Sequence, residues 1–383
     1  MKTSVKPFTV RLPQATLDSL HERLTNPRWP DEAEDAGWDY GTNLGYLQEL
    51  AAYWRDAFDW RAQEAAMNRF AHFRAEVDGF GLHGIHQRGQ GPNPLPLLLT
   101  HGWPDSFLRM AKIIPLLADP AAHGGDPNDV FDVVVPSIPG FGLSDRPTNK
   151  GFTSGSIAAL FAKLMTEGLG YDRFGAHGGD VGSGVTEELA RDHAGWLAGI
   201  HLTDVPYGHL FAVSPDALSK PEQEYLEAGK QWQMQDGAYA MLQGTKPQTL
   251  AYGLNDSPVG LAAWIIERFR AWSDCGGDIE TRFTKDELLS NITLYWATQT
   301  INSSVRHYYE DQHHLRQDAN TRIDIPTGVA IFPKDLVPAP REFADRFFNV
   351  QRWTEMPRGG HFAALEEPEL LVEDIRDFFR PLR

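Results

Sequence analysis

The chain has little with which to cross-link itself. Cys275 is the sole cysteine in 383 residues, so neither an intrachain disulfide nor a cysteine-based metal cluster can form. A reducing, cytoplasmic setting is the expectation. Long apolar runs are missing as well. None approaches the roughly 18 residues that a membrane-spanning helix needs, and the opening "MKTSVKPFTVRLPQATL" lacks the apolar core of a secretory signal. Basic charge is scarce: 35 Lys and Arg stand against 52 Asp and Glu, a formal charge of −17. That balance disfavours nucleic acid and anionic membranes as partners, since both demand a clustered basic face. There is no H-E-x-x-H, no P-loop and no G-x-G-x-x-G in the right context, so no metal or nucleotide cofactor is expected. The G-x-S-x-G of serine hydrolases is absent too.

What the chain does have is a rhythm. "PLPLLLTHGWP", "VFDVVVPSIPGFG", "RFGAHGGD", "LAGIHLTD", "TGVAIFPKD" and "FNVQRWTEM" are apolar runs suited to strands buried on both faces. Helical patterns such as "GSIAALFAKLMTEGLG" and "GSGVTEELARD" lie between several of them, which predicts a mostly parallel, doubly wound α/β sheet. Before it, "LPQATLDSLHERL" and "LGYLQELAAYWRDAFDW" read as two amphipathic helices, and "HFRAEVDGFGLHGIHQRG" as a hairpin turning at Asp78-Gly79. One segment breaks the rhythm, with helical stretches such as "PEQEYLEAGKQWQMQDGAYAMLQ" and no convincing strand. The division predicted is an N-terminal extension over 1–90, an α/β core over 91–210 and 323–383, and a helical lid over 211–322. Such a lid would cover the C-terminal strand ends, where α/β folds place their sites.

Gly178-Gly179-Asp180-Val181-Gly182 has the form small-x-nucleophile-x-small. A nucleophile on a strained strand-to-helix turn needs small neighbours, and the Val181 amide can then serve an oxyanion hole. The plainer alternative makes Asp180 a helix N-cap. A carboxylate in that turn has a chemical consequence. Attack on an sp³ carbon gives an ester, which water can cleave at the aspartate's own carbonyl; a serine would leave an inert ether. The substrate expected is therefore an epoxide or an alkyl halide, with water as co-substrate.

Hydrolysis of that ester needs a base, and His361 in "RGGHFAALEEPELL" follows the last strand, where chain order puts it. Asp335, ending "VAIFPKD", is the acid to orient it, with Asp204, ending "AGIHLTD", as the runner-up. His101 to Pro104 follow a buried strand; the Trp103 amide would be the second oxyanion donor and its indole would line the pocket, while His101 reads as structural. The departing alkoxide calls for a hydroxyl donor. The region offers Tyr225, Tyr239, Tyr252, Tyr295, Tyr308 and Tyr309, among which composition does not choose.

Taken together, "HGWP", "GGDVGS", "TKPQTLAYGLNDSPVGLAAWIIERF", "LYWATQTINSSVRHYYED", "PTGVAIFPKD" and "RGGHFAALEEPELL" resemble the microsomal-type epoxide hydrolases of the α/β-hydrolase superfamily. The start, with "RWP" and "LGYLQELAAYWRDAFDW", resembles that family's N-terminal wrapping domain. The resemblance spans nearly the whole chain. It implies an α/β-hydrolase fold and a cofactor-independent enzyme making a vicinal diol from a small hydrophobic epoxide. It also implies Asp180 as nucleophile, His361 as base, Asp335 as acid, and Tyr239 and Tyr308 as the two lid tyrosines, with Tyr309 one residue from the second match. Membrane-anchored members begin with a hydrophobic helix that this chain lacks, so a soluble form is expected, with a homodimer left open. The competing readings are a haloalkane dehalogenase, against which Val181 and the tyrosines speak, and a non-catalytic binding protein on the same fold.

Overall fold

The computed structural model describes residues 3–383 apart from 212 and 319. Strand β1 (Ser4–Pro7) edges a sheet and pairs antiparallel with β2 (His72–Val77), which forms a hairpin with β3 (Phe80–Gln87). Both turn residues of that hairpin, Asp78 and Gly79, have positive φ, 51° and 79°, the conformation whose twist matches the flanking strands. Then come β4 (Leu95–Thr100), β5 (Phe131–Pro136), β6 (Phe174–Gly178), β7 (Leu197–Leu202), β8 (Ile323–Ile331) and β9 (Phe348–Glu355). The sheet order is β1-β2-β3-β5-β4-β6-β7-β8-β9. β3 meets β5 antiparallel, and every pairing from β5 through β4 to β9 is parallel.

The side-chain period of 2 divides the core. Leu98, Val134, Ala176, Ile200 and Val329 belong to one apolar cluster. Their neighbours Leu97, Leu99, Val133, Val135 and Ala330 belong to a second cluster on the other face. Helices cover both faces, which is why these strands carry apolar residues continuously rather than alternately.

Helices α1 (Gln14–Thr25), α2 (Leu44–Asp56) and α3 (Trp60–Met67) precede β2. The sequence pattern predicts a single helix through Trp60, but the chain leaves the helix at Ala57 and restarts because the Asp59 carboxylate caps α3, accepting from the Arg61 and Ala62 amides. Within the core run α4 (Ile113–Ala118), α5 (Ser154–Lys163) and α6 (Val181–Asp192). Among the described residues six α-helices stand between β7 and β8: α7 (Lys220–Gln235), α8 (Ala238–Thr245), α9 (Pro247–Asp256), α10 (Pro258–Trp272), α11 (Lys285–Thr298) and α12 (Ile301–His313). The chain ends with α13 (Arg341–Phe347), α14 (Ala363–Glu366) and α15 (Pro368–Phe379). The break between α7 and α8 falls at Asp236-Gly237, where the Trp232 carbonyl accepts from both amides. The N-terminal helices clamp the inserted ones. Tyr53 donates to Asp286 Oδ1 at 2.9 Å, and Trp54 Nε1 donates to Thr293 Oγ1 at 2.9 Å. Among the described residues no helix is long and apolar enough to cross a membrane.

Candidate active site

Strand β6 ends at Gly178, and two residues later Asp180 turns the chain into α6 with φ 58° and ψ −128°. A non-glycine residue held there is strained, and the surroundings must enforce it. They do so by close approach. A methyl group on Gly182 would overlap the Thr100 carbonyl, and one on Gly178 would overlap the Gly182 carbonyl, so only glycine lets α6 sit this near β4. The turn is also hydrogen-bonded: the Asp180 amide donates to Asp204 Oδ1 at 2.8 Å, and Ser183 Oγ to Asp204 Oδ2 at 2.7 Å.

The carboxylate of Asp180 is divided between two tasks. Its Oδ1 accepts from the Trp103 amide at 2.7 Å. Its Oδ2 lies 3.4 Å from His361 Nε2. Val181 is the first residue of α6, and its N–H belongs to the opening turn, whose donors the helix itself does not use. Asp180 occupies the N-cap position of α6, but its side chain makes no capping hydrogen bond, so capping as in the plainer alternative is not what its carboxylate does.

His361 sits in the turn between β9 and α14. Its Nδ1 lies 2.7 Å from Asp335 Oδ1, its amide donates to the Trp272 carbonyl at 2.8 Å, and its own carbonyl accepts from Arg109. Arg109 is in turn paired with Asp105 at 2.6 Å. Asp335 raises the basicity of His361, and Asp180 adds to this by hydrogen bond and charge. Together they outweigh the opposing effect of burial, to a pKa of about 10. The same pairing lowers Asp335, against burial. Asp204 goes the other way, pushed from 3.8 to about 7 by burial and then by the Asp335 charge. Two buried carboxylates near one another separate into a charged member and a protonated one.

The tyrosines sort themselves by contact. Tyr239, near the start of α8, stacks on Trp103 with ring centroids 5.5 Å apart and planes 8° from parallel. Tyr308, on α12, meets Trp103 edge-on at 5.9 Å and Tyr239 edge-on at 6.0 Å. Burial raises both phenols, and the Asp180 charge pushes the same way. Tyr309 stacks instead on His313 at 3.9 Å. Tyr295 donates to the Asp105 carbonyl, Tyr225 packs on Phe343, and Tyr252 is exposed. His101 is buried, its Nε2 accepting the Ile138 amide at 3.1 Å.

The structure thus gathers Trp103, Asp180, Tyr239, Tyr308, Asp335 and His361 and leaves Tyr309 apart. Asp204 contacts the backbone of the turn, and the carboxylate on the His361 ring is that of Asp335. Two further side chains belong to the cluster without having been singled out from the sequence. Trp272 faces both Trp103 and His361, at 6.2 and 5.2 Å, and Arg268 stands over Tyr239. Their only signal was the aromatic richness of "WIIERFRAW". Among the described residues no three His, Cys, Asp or Glu side chains group to hold a metal ion.

Two family models match the chain: "Epoxide hydrolase N terminus" over residues 5–110 and "alpha/beta hydrolase fold" over residues 96–264. Epoxide hydrolase 1 of Sus scrofa is 38% identical over 407 aligned residues, covering 98% of this chain and 88% of that one. Among solved structures, the Aspergillus niger epoxide hydrolase is similar with TM-score 0.85 and 30% identity, over 99% of this chain and 96% of that one. The juvenile hormone epoxide hydrolase of Bombyx mori gives TM-score 0.89 at 27% identity, over 100% and 95%.

Proposed function

Because this chain belongs to the epoxide hydrolase family and is an epoxide hydrolase of α/β-hydrolase fold, we propose that it works through a covalent ester on Asp180. The single observation that carries this reading is the division of the Asp180 carboxylate, Oδ1 on the Trp103 amide and Oδ2 facing the base.

In the first step Oδ2 attacks an epoxide carbon and the carbon–oxygen bond breaks. The departing oxygen is held by the hydroxyls of Tyr239 and Tyr308, one of which gives it a proton. The product is a hydroxyalkyl ester. With Asp180 esterified, His361 loses one of the two carboxylates that keep it protonated, and its pKa falls. It can then act as the base, while Asp335 holds Nδ1 and fixes the ring. Water, losing its proton to Nε2, attacks Cγ. Charge develops on Oδ1, against the Trp103 amide and the open Val181 amide. Collapse of the intermediate releases a vicinal diol and returns the carboxylate.

The reading extends to the layout of the chain. Residues 1–90 clamp, residues 91–210 and 323–383 carry the nucleophile, acid and base, and residues 211–322 supply the two tyrosines as a lid. A small hydrophobic epoxide fits an aromatic surround of Trp103, Tyr239, Trp272 and Tyr308, and the lone buried Cys275 fits a reducing, cytoplasmic setting. The decisive experiment is intact-mass analysis of His361→Gln exposed to styrene oxide. An adduct one substrate mass heavier, absent from the Asp180→Asn His361→Gln double variant, is the expected result. Unmodified protein together with residual diol formation would end the covalent mechanism.

A further inference from the structure

Arg268, on α10 one turn before Trp272, is drawn out of solvent and only 9% exposed. Its Cζ lies 5.2 Å from the centroid of the Tyr239 ring and 5.6 Å from that of Trp272. One guanidinium nitrogen donates to the Asp236 carbonyl at 3.1 Å, at the break where α7 gives way to α8, and another pairs with Glu267. Burial works against the charge and lowers the arginine's own pKa. A neutral side chain would fill that space at lower cost, so the position of the cation against the tyrosine's face invites a functional account.

We infer that Arg268 is a positioning residue: its cation over the Tyr239 ring, and its hold on the α7–α8 corner, make Tyr239 rather than Tyr308 the hydroxyl that protonates the epoxide oxygen. This rests on the proposed mechanism and deepens it. A positive charge over an aromatic face is attracted to the ring, and more strongly when the ring becomes a phenolate. The Arg268 charge also lowers Tyr239, and it acts more strongly on Tyr239 than on Tyr308.

The bookkeeping of the step is simple. As the Asp180 Oδ2–carbon bond forms, the ring carbon–oxygen bond breaks and the oxygen keeps the electron pair. The Tyr239 proton goes to that oxygen, leaving a phenolate beside Arg268. The proton that His361 sheds once Asp180 is esterified restores the phenol, and the proton it then takes from water returns it to its resting form.

The test compares Arg268→Gln, which keeps a donor for the Asp236 carbonyl, and Arg268→Met with Arg268→Lys, which keeps the charge. Single-turnover kinetics with styrene oxide separates ester formation from ester hydrolysis. The neutral variants should slow ester formation by roughly tenfold and leave hydrolysis within about threefold, with Lys recovering most of the loss. In a Tyr239→Phe background, Arg268→Gln should add nothing. Equal slowing of both steps, or no rescue by Lys, overturns the inference in favour of a packing role. So does an additive effect in the Tyr239→Phe background. Full-rate ester formation by Tyr239→Phe itself would instead sink the tyrosine's assignment in the mechanism, which keeps the two failures distinct. If Met does not fold, Gln and Lys still decide the question.

Discussion

Asp335 Oδ1 and His361 Nδ1 lie 2.7 Å apart, 26 residues apart in sequence, and the chain segments that carry them are tied to each other. Lys334 and Gly360 form a bridge immediately beside the pair, and the Lys334 amide donates to the Gly359 carbonyl at 3.1 Å. Asp335 and His361 are therefore fixed by backbone pairing as well as by their own contact. Asp335→Asn preserves shape but offers a neutral partner, so His361 loses charge stabilisation when it takes the water's proton. Ester hydrolysis should slow by about 10³- to 10⁴-fold, while ester formation slows far less. Rapid-quench measurement of the adduct in the variant checks this, and accumulation of the ester is the expected signature.

The tyrosine pair yields a different pattern. Tyr239 and Tyr308 both face Trp103 and meet each other edge-on at 6.0 Å. Either Tyr→Phe change leaves the epoxide oxygen with one donor, and general-acid contributions of this kind run to roughly 10²-fold or more. The Tyr239→Phe Tyr308→Phe enzyme should lose epoxide opening almost completely. Bromide release from a reactive alkyl bromide by the same double variant should survive better, since halide departs without a proton. An equal loss on both substrates would show that the rings act by packing alone.

How far the sequence carries is visible in particular residues. Asp180, His361 and Asp335 could be found because each ends a strand or follows one, and strand ends are announced by apolar runs and glycines. The core alternation, Leu98 against Leu97 and Leu99, has the same source. Other features depend on contacts between distant segments and left no local trace. Strand β1 is four residues of mostly exposed chain that becomes a strand only because β2 offers an edge. The stop at Ala57 and restart at Trp60 turned on one cap, Asp59, inside an otherwise helical pattern. Arg268 is 29 residues from Tyr239 in sequence and meets its ring only through the packing of α10. Asp204 looked like a spare acid by position, yet its oxygens hold the Asp180 amide and the Ser183 hydroxyl.

Gly182 gives the clearest steric prediction. A methyl group there would run into the Thr100 and His101 carbonyls at the end of β4, and backbone atoms cannot swing aside as a side chain can. Gly182→Ala should cost about 1–3 kcal/mol of stability from overpacking. It should also push α6, and with it Asp180, off the Trp103 amide. Chemical denaturation reads the first effect. The second appears as a fall in ester formation in the fraction that remains folded, larger than the stability loss alone explains. Normal turnover would show that the close approach of α6 to β4 is dispensable.

Asp204 supplies a pH test whose sign can be worked out. Burial, and then the Asp335 charge, raise its pKa from 3.8 to about 7. Folded protein therefore holds a proton on Asp204 over a range in which the unfolded chain has released it. A group with a raised folded-state pKa contributes stability that is fully present below the unfolded value and is lost as pH rises through the folded one. The wild type should thus lose stability between about pH 4 and 7 from this residue. Asp204→Asn cannot titrate. It keeps one acceptor for the Asp180 amide, though its amide group serves the Ser183 hydroxyl less well, so some loss at low pH is expected. The informative quantity is the difference between the two proteins. The melting-temperature gap should close progressively from pH 4 to 7 and stay flat above, whatever its absolute size. A gap independent of pH would mean that Asp204 is ionised throughout, and that the proton sharing between Asp204 and Asp335 does not exist. A gap that widened with pH would mean that the folded protein prefers the charged form, reversing the assignment of Asp335 as the charged member of the pair.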